Sequence, residues 1–198
     1  TCALPICFKT LVLRRIPDQS ARLAMLRAGE VQISDMPFKL KREAEAAGMK
    51  FIKVPFASIY HVQFGGQLLP SRETFDPAVP WVGKPDDPDS QKKALLVRKA
   101  LNLAIDRKAI IEGVFEGEGV PGVTPFLPPG SEYIPADLKP YDYDPAEAKK
   151  LLAEAGYANG FPRDFEMLLM PCVGRAEMVD VSEAVAGFWE RNLGLKIR

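Results

Sequence analysis

Apolar residues recur along this chain at two spacings, and the clearest run lies at residues 97–119, VRKALNLAIDRKAIIEGVFEGEG. Val97, Ala100, Leu101, Ala104 and Ile105 fall at the i, i+3, i+4, i+7, i+8 positions of a single buried helical stripe. Arg98, Lys99 and Asn102 lie off it and can face water. Asp106 stands where a carboxylate can accept free first-turn N–H groups, so a second helix is predicted to begin there. That helix would carry Ile110, Ile111, Val114 and Phe115 inward, and Gly117 and Gly119 supply the backbone that ends it. The pattern predicts two helices meeting at an aspartate, a rigid corner within one core.

Elsewhere the spacing alternates between strand and helix. Residues 8–16 read as a strand centred on Leu11, Val12 and Leu13. Asp18 opens a short helix that buries Leu23 and Leu26 and stops at Gly29. Val31 and Ile33 alternate with polar residues, a helix covers roughly 39–47 and ends at Gly48, and 51–54 and 60–64 read as further strands. Gly65-Gly66 ends the last of these and is no phosphate loop, because no further glycine follows nearby. Residues 68–93 form a long connection containing Pro70, Pro77, Pro80, Pro85 and Pro88. A second proline-rich passage fills 120–143. Asp144-Pro145-Ala146-Glu147 then carries the signals of a helix start, with Asp144 the cap, Pro145 in the first turn and Glu147 able to close a capping box. Leu151, Leu152 and Ala155 form its stripe. A strand at 165–170, a helix at 178–192 burying Val181, Val185, Phe188 and Trp189, and a strand from Leu195 complete the reading. This alternation indicates an α/β layer rather than a sandwich or a bundle.

Composition narrows the function. The chain has 198 residues with 26 basic and 26 acidic side chains, so its formal charge is zero and there is no electrostatic case for nucleic acid. Eighteen prolines and fifteen glycines imply many turns, while 47% hydrophobic residues exclude a disordered chain. No apolar run approaches the roughly 20 residues that span a bilayer. Cys2, Cys7 and Cys172 form neither a C-x-x-C pair nor an even set, which argues against a disulfide framework and a zinc site. The opening TCALPIC fits no neighbouring element, and residues 1–7 are expected to be non-native.

Catalysis finds little support. His61 is the single histidine, it lies in a strand, and it has no ligand partner at metal spacing, so no catalytic and no metal site is predicted. A serine triad would need that histidine and a G-x-S-x-G elbow, which is absent. The carboxylate pairs Glu43/Glu45, Asp86/Asp87 and Glu116/Glu118 read as solvated faces. No cofactor is expected. Trp189 lies on a helical stripe and reads as core, whereas Trp81 either covers apolar surface locally or borders a cleft.

Three ordered stretches add a resemblance: IPDQSARLAMLRAGEVQIS, VRKALNLAIDRKAIIEGV and YDPAEAKKLLAEAGY. Together they resemble the extracytoplasmic solute-binding proteins of ABC importers, in the family that carries oligopeptides, dipeptides and nickel. The resemblance covers about 8–198 and is weakest over 67–93, which looks like an insertion. It implies a two-lobed periplasmic-binding-protein type II fold, present here in part: 8–123 from the first lobe and 124–198 from the start of the second. It also implies an internal fragment, since such proteins carry a signal peptide and are considerably longer. The implied function is capture of peptides, or a related small solute, in a cleft, followed by delivery to the permease subunits. The implied location is periplasmic or extracytoplasmic, at the membrane through the permease or a lipid anchor. The resembled strand end lies near the cleft, which makes Gln63, Phe64, Gly65 and Gly66 candidate ligand neighbours, with bare glycine backbone available to an extended peptide. Thr124 and Phe126 join them as residues expected where the chain crosses between lobes. The alternative is a fragment of a cytoplasmic α/β enzyme whose helices carry a similar pattern. The isolated chain, lacking strand partners, is expected to be poorly soluble and to bind no peptide.

Overall fold

The computed structural model describes residues 9–54, 58–66, 69–168 and 177–198. The expectations for residues 1–8, Gln67, Leu68, the last two positions of the 165–170 strand and Cys172 lie outside these. Contacts divide the chain into two compact units, Thr1–Phe51 and Ile52–Arg198.

In the first unit, α1 (Gln19–Arg27) starts as its sequence predicts: the Asp18 carboxylate accepts the Ala21 N–H at 2.6 Å. Leu23 is buried, Leu26 is half-buried, and Gly29 follows in the left-handed region at φ 74°. A 3-10 turn, Phe38–Leu40, leads into α2 (Lys41–Ala46), with Ala44 buried. The Phe38 and Phe51 rings meet at 5.8 Å between centroids. An ion pair of 3.0 Å joins Arg27 on α1 to Glu43 on α2.

The second unit is built on α3 (Pro88–Leu103). Its predicted stripe is the most buried part of the chain: Val97, Ala100 and Ala104 are fully covered, and Leu101 and Ile105 nearly so. Helix α4 (Arg107–Phe115) begins at Asp106, whose carboxylate accepts the Ala109 N–H at 2.9 Å. Helix α5 (Pro145–Glu154) buries Ala148, Leu151 and Leu152 against α3. Helix α6 (Glu177–Leu193) adds Val185, Trp189 and Leu193. These side chains form one hydrophobic cluster, and it joins residues on both sides of the 123/124 position.

Polar bonds at one place fix how these helices meet. A helix leaves its last carbonyls without intrahelical partners, and four successive carbonyls at the end of α3 are each taken by a donor from another element. The buried Trp189 indole N–H bonds to the Leu101 carbonyl at 2.8 Å. Arg107 Nη1 reaches the Asn102 carbonyl at 3.1 Å while its Nη2 bonds to Asn102 Oδ1 at 2.8 Å. The Asp144 backbone N–H meets the Leu103 carbonyl at 2.9 Å, and Asn192 Nδ2 meets the Ala104 carbonyl at 2.8 Å. One helix end thereby orients the starts of α4 and α5 and the last turn of α6.

Several expectations change. Helix α3 starts at Pro88 rather than after Lys93, with Asp87 accepting the Ser90 N–H at 3.0 Å, so the last residues of the expected 68–93 connection are helical. Asp87-Pro88 repeats the Asp144-Pro145 start signal. The capping box at α5 is half made. Asp144 accepts the Glu147 N–H at 2.9 Å, but its own N–H is engaged by Leu103 and Glu147 pairs with Lys150 at 3.3 Å instead. Helix α4 ends one residue earlier than its glycines suggest, with Glu116 itself left-handed at φ 52°.

The strands change most. Among the described residues, pairing is confined to one parallel bridge, Phe165 with Ile197. Met167 N–H to the Arg198 carbonyl (2.7 Å) and Arg198 N–H to the Phe165 carbonyl (2.9 Å) extend it, giving two parallel arms either side of α6. The described parts of 9–16, 31–33, 51–54 and 60–64 run without ladder partners, and Leu11, Val12, Leu13 and Ile33 are exposed. Alternation sets which face of a strand is apolar. It does not supply the neighbour that makes it a strand.

Leu101→Ala should cost about 2–5 kcal/mol in denaturant unfolding, the range for emptying a closed core site. Asp144→Ala should cost about 1 kcal/mol, because one cap bond is lost while the Leu103 tie persists. Equal losses in the two variants would mean that the α3 stripe is not the centre of the core.

Candidate functional site

Of the candidate ligand neighbours, Gln63, Phe64, Gly65 and Gly66 form one built feature. Gln63 is exposed. The Phe64 ring lies between two tryptophans, 5.4 Å from Trp81 and, stacked, 6.4 Å from Trp189. The next two residues are engaged through their carbonyls. The Trp81 indole N–H bonds to the Gly65 carbonyl at 2.8 Å, and the Asp76 N–H bonds to the Gly66 carbonyl at 2.9 Å. Gly66 sits at φ 95°, and a Cβ there would lie 2.8 Å from Val82 Cγ2. Only glycine allows both the conformation and the approach of the buried Val79 and Val82.

Trp81 thus resolves toward local cover. Its ring meets Phe165 at 4.6 Å and Phe161 at 6.0 Å, and its backbone carbonyl accepts a bond from Arg98. Phe161 also meets Tyr157 edge-on at 5.3 Å, and burial pushes the Tyr157 hydroxyl above the ordinary tyrosine range. The outer side of this aromatic cluster is closed by Arg163, which lies over the Phe165 ring at 5.4 Å and pairs with Asp76 at 2.6 Å. The Arg163 bond, helped by the Ala78 N–H, lowers the Asp76 carboxyl below the usual range. Sequence reasoning passed over Asp76, Arg163, Phe161 and Phe165. The visible signal was the regular four-residue spacing of the aromatic residues Tyr157, Phe161 and Phe165.

Thr124 and Phe126 form a separate feature. Thr124 Oγ1 accepts the Phe126 N–H at 3.3 Å, a local turn, and the Phe126 ring is 84% exposed. Among the described residues, no hydrogen bond or ring contact joins them to 63–66. His61 is exposed on its extended segment. No cluster of metal-ligating side chains occurs among the described residues, and no described helix is long and apolar enough to cross a membrane. Beside the aromatic cluster lies a depression of about 240 Å³ lined by Asn159, Phe161, Arg163, Asp164 and Lys196, among others. Ligand pockets usually hold roughly 300–1,000 Å³, so this depression is too small to enclose a peptide.

Residues 7–198 match the model of the bacterial extracellular solute-binding proteins, family 5 (middle), and the chain belongs to that family. It is 34% identical over 161 residues to heme-binding protein A of Haemophilus influenzae, covering 78% of this chain and 25% of the relative. It is 33% identical over 152 residues to the glutathione-binding protein GsiB of Escherichia coli O157:H7, covering 77% and 26%. The dipeptide-binding protein of Escherichia coli K12 is 30% identical over 157 residues, covering 78% and 25%. The chain therefore spans about a quarter of the length of these relatives. Among solved structures it superimposes on the periplasmic binding protein DppA of Helicobacter pylori, in complex with peptide STSA, with a TM-score of 0.59 at 23% identity, over 93% of this chain and 31% of that one. The substrate-binding protein CtaP of Listeria monocytogenes gives 0.59 at 18% identity, over 93% and 33%. The fold is that of part of a type II periplasmic binding protein.

Asp76 has a folded pKa below its unfolded value, so the stability it adds is present above the ordinary aspartate pKa of about 3.9. It is lost as pH falls through the lower folded value. In urea unfolding, wild type should exceed Asp76→Asn at pH 7, and the gap should shrink as pH is lowered below about 4. A gap that stays constant down to pH 3 would show that the carboxylate charge is not what holds Arg163.

Proposed function

We propose that this chain is part of the solute-binding subunit of an ABC importer, which captures a peptide or related small solute in a cleft between two lobes and delivers it to the permease. The supporting observation is membership of the family 5 solute-binding proteins across residues 7–198. Relatives named for dipeptide, glutathione and heme binding agree with it. These relatives are binding proteins rather than enzymes, which favours this reading over a cytoplasmic α/β enzyme. The protein works outside the cytoplasm, peripheral to the membrane through its permease or a lipid anchor, and it needs neither catalytic residue nor cofactor.

A peptide is the preferred solute class because relatives bind dipeptides and glutathione, and a fold does not by itself fix its ligand. The candidate contacts are Gln63, Phe64, Gly65 and Gly66, with Thr124 and Phe126 as a second group. For the lobe division we depart from 123/124. Helices α3, α5 and α6 share one core across that position, and a hinge cannot run through a continuous close-packed core without opening it. The boundary we propose lies N-terminal to Phe64, which packs against that same core.

Purifying the full-length protein without denaturation and identifying what it retains by mass spectrometry tests the reading directly. Short peptides should be recovered, and their removal and re-addition should lower and restore the thermal midpoint. Retention of nothing, with no midpoint shift from peptides, glutathione or heme, would sink the solute-binding reading.

A further inference from the structure

Arg22 carries a charge into the first unit without a full set of partners. Its side chain is only 11% exposed, and it stands in the first turn of α1 beside the buried Leu23. A guanidinium stays charged at every accessible pH and holds its donors in a rigid planar fork. Nη1 bonds to the Asp35 carboxylate at a long 3.4 Å, and that carboxylate is 86% exposed. Nε and Nη2 are both buried, and among the described residues neither has a hydrogen-bond partner. The other acids of this unit do not fill the gap. Asp18 caps the Ala21 N–H at 2.6 Å, Glu43 pairs with Arg27 at 3.0 Å, and no bond reaches the two atoms from Glu30 or Glu45. The first turn of α1 holds no acidic residue, so the positive end of the helix dipole adds to the charge already there.

Buried donors are nearly always paired, and a buried cation with an open edge is strongly unfavourable. Nε–H and one Nη2–H point the same way along one edge of the guanidinium, at the spacing of the two oxygens of a carboxylate. We propose that this edge is a carboxylate site, in which Nε and Nη2 of Arg22 take both oxygens of one carboxylate. The group belongs either to an aspartate or glutamate elsewhere in the full-length protein or to a free organic acid; both present the same two oxygens. A phosphate fits less well. It would bring about two negative charges beside Asp35 with one guanidinium to balance them, whereas a carboxylate brings one. The inference stands on the first unit alone and does not need the solute-binding reading.

The test follows the Arg22 Nε–H proton by magnetic resonance in the isotope-labelled full-length protein, assigned through its bonds to the Arg22 backbone. Pairing with a carboxylate should move this proton downfield and slow its exchange with water about tenfold or more, the scale of a hydrogen bond to a charged group. After dialysis into chloride buffer, a downfield proton that persists, with no organic acid released on denaturation, supports the site and assigns the partner to the protein's own side chains. A proton that moves downfield only when acetate is added, or an organic acid recovered on denaturation, supports it with a free carboxylate. Arg22→Lys keeps the charge but not the two-donor edge, so it should lower the thermal midpoint in the first case and abolish the midpoint rise with acetate in the second. Asp35→Asn, at an exposed position, should leave the Nε–H proton where it is, because Asp35 holds Nη1; loss of the downfield shift in that variant would make Asp35 the partner and overturn the site. An Nε–H proton at the ordinary arginine position with and without acetate would overturn it, as would a downfield shift produced by inorganic phosphate but not by acetate.

Discussion

The second unit depends on how the end of α3 is satisfied. Leu101, Leu103 and Ala104 are followed by no further helical turn, so their carbonyls need outside donors, while that of Asn102 keeps a long local bond from the Ile105 N–H at 3.4 Å. A buried carbonyl left unpaired costs about 1–3 kcal/mol, enough to decide between packings that bury similar apolar area. Trp189, Arg107, the Asp144 backbone and Asn192 supply those donors from three other elements. The apolar stripe draws α5 and α6 onto α3, and the four bonds select the register in which they settle. Arg107 shows the balance: burial lowers its guanidinium pKa, and the Asn102 side chain and carbonyl compensate the cation.

Helices were legible in the sequence because their signals are local. A stripe of five apolar residues and a capping aspartate sit within a dozen positions, and both were read correctly at Val97–Ile105 and at Asp106. Where a second local signal was passed over, at Asp87-Pro88, the start of the helix was misplaced. Glu147 failed differently. Its capping-box geometry was available, but the Asp144 N–H was taken by Leu103, about forty residues earlier in the chain. No local pattern carries that competition.

Strands and the candidate site were less legible for one shared reason: both are defined by distant partners. Residues 9–16 have the apolar centre of a strand, yet among the described residues they have no ladder neighbour. Phe165 and Ile197, which do pair, are separated by the whole of α6. At Gly65-Gly66 the sequence showed where a strand ends and that glycine leaves the backbone bare. It could not show that Trp81 and Asp76, ten or more residues on, would fold back onto both carbonyls.

The same fold-back separates two meanings of a glycine. Read from sequence, Gly65-Gly66 suggests room for a ligand's backbone. In the structure, Gly66 makes room for the protein's own Val82, and the Asp76 and Trp81 bonds follow from that close approach. The family relationship does not say which backbone atoms of this strand end are spoken for. The internal bonds occupy one acceptor position on each carbonyl from within the chain, so the bare backbone at Gly65-Gly66 already serves the fold.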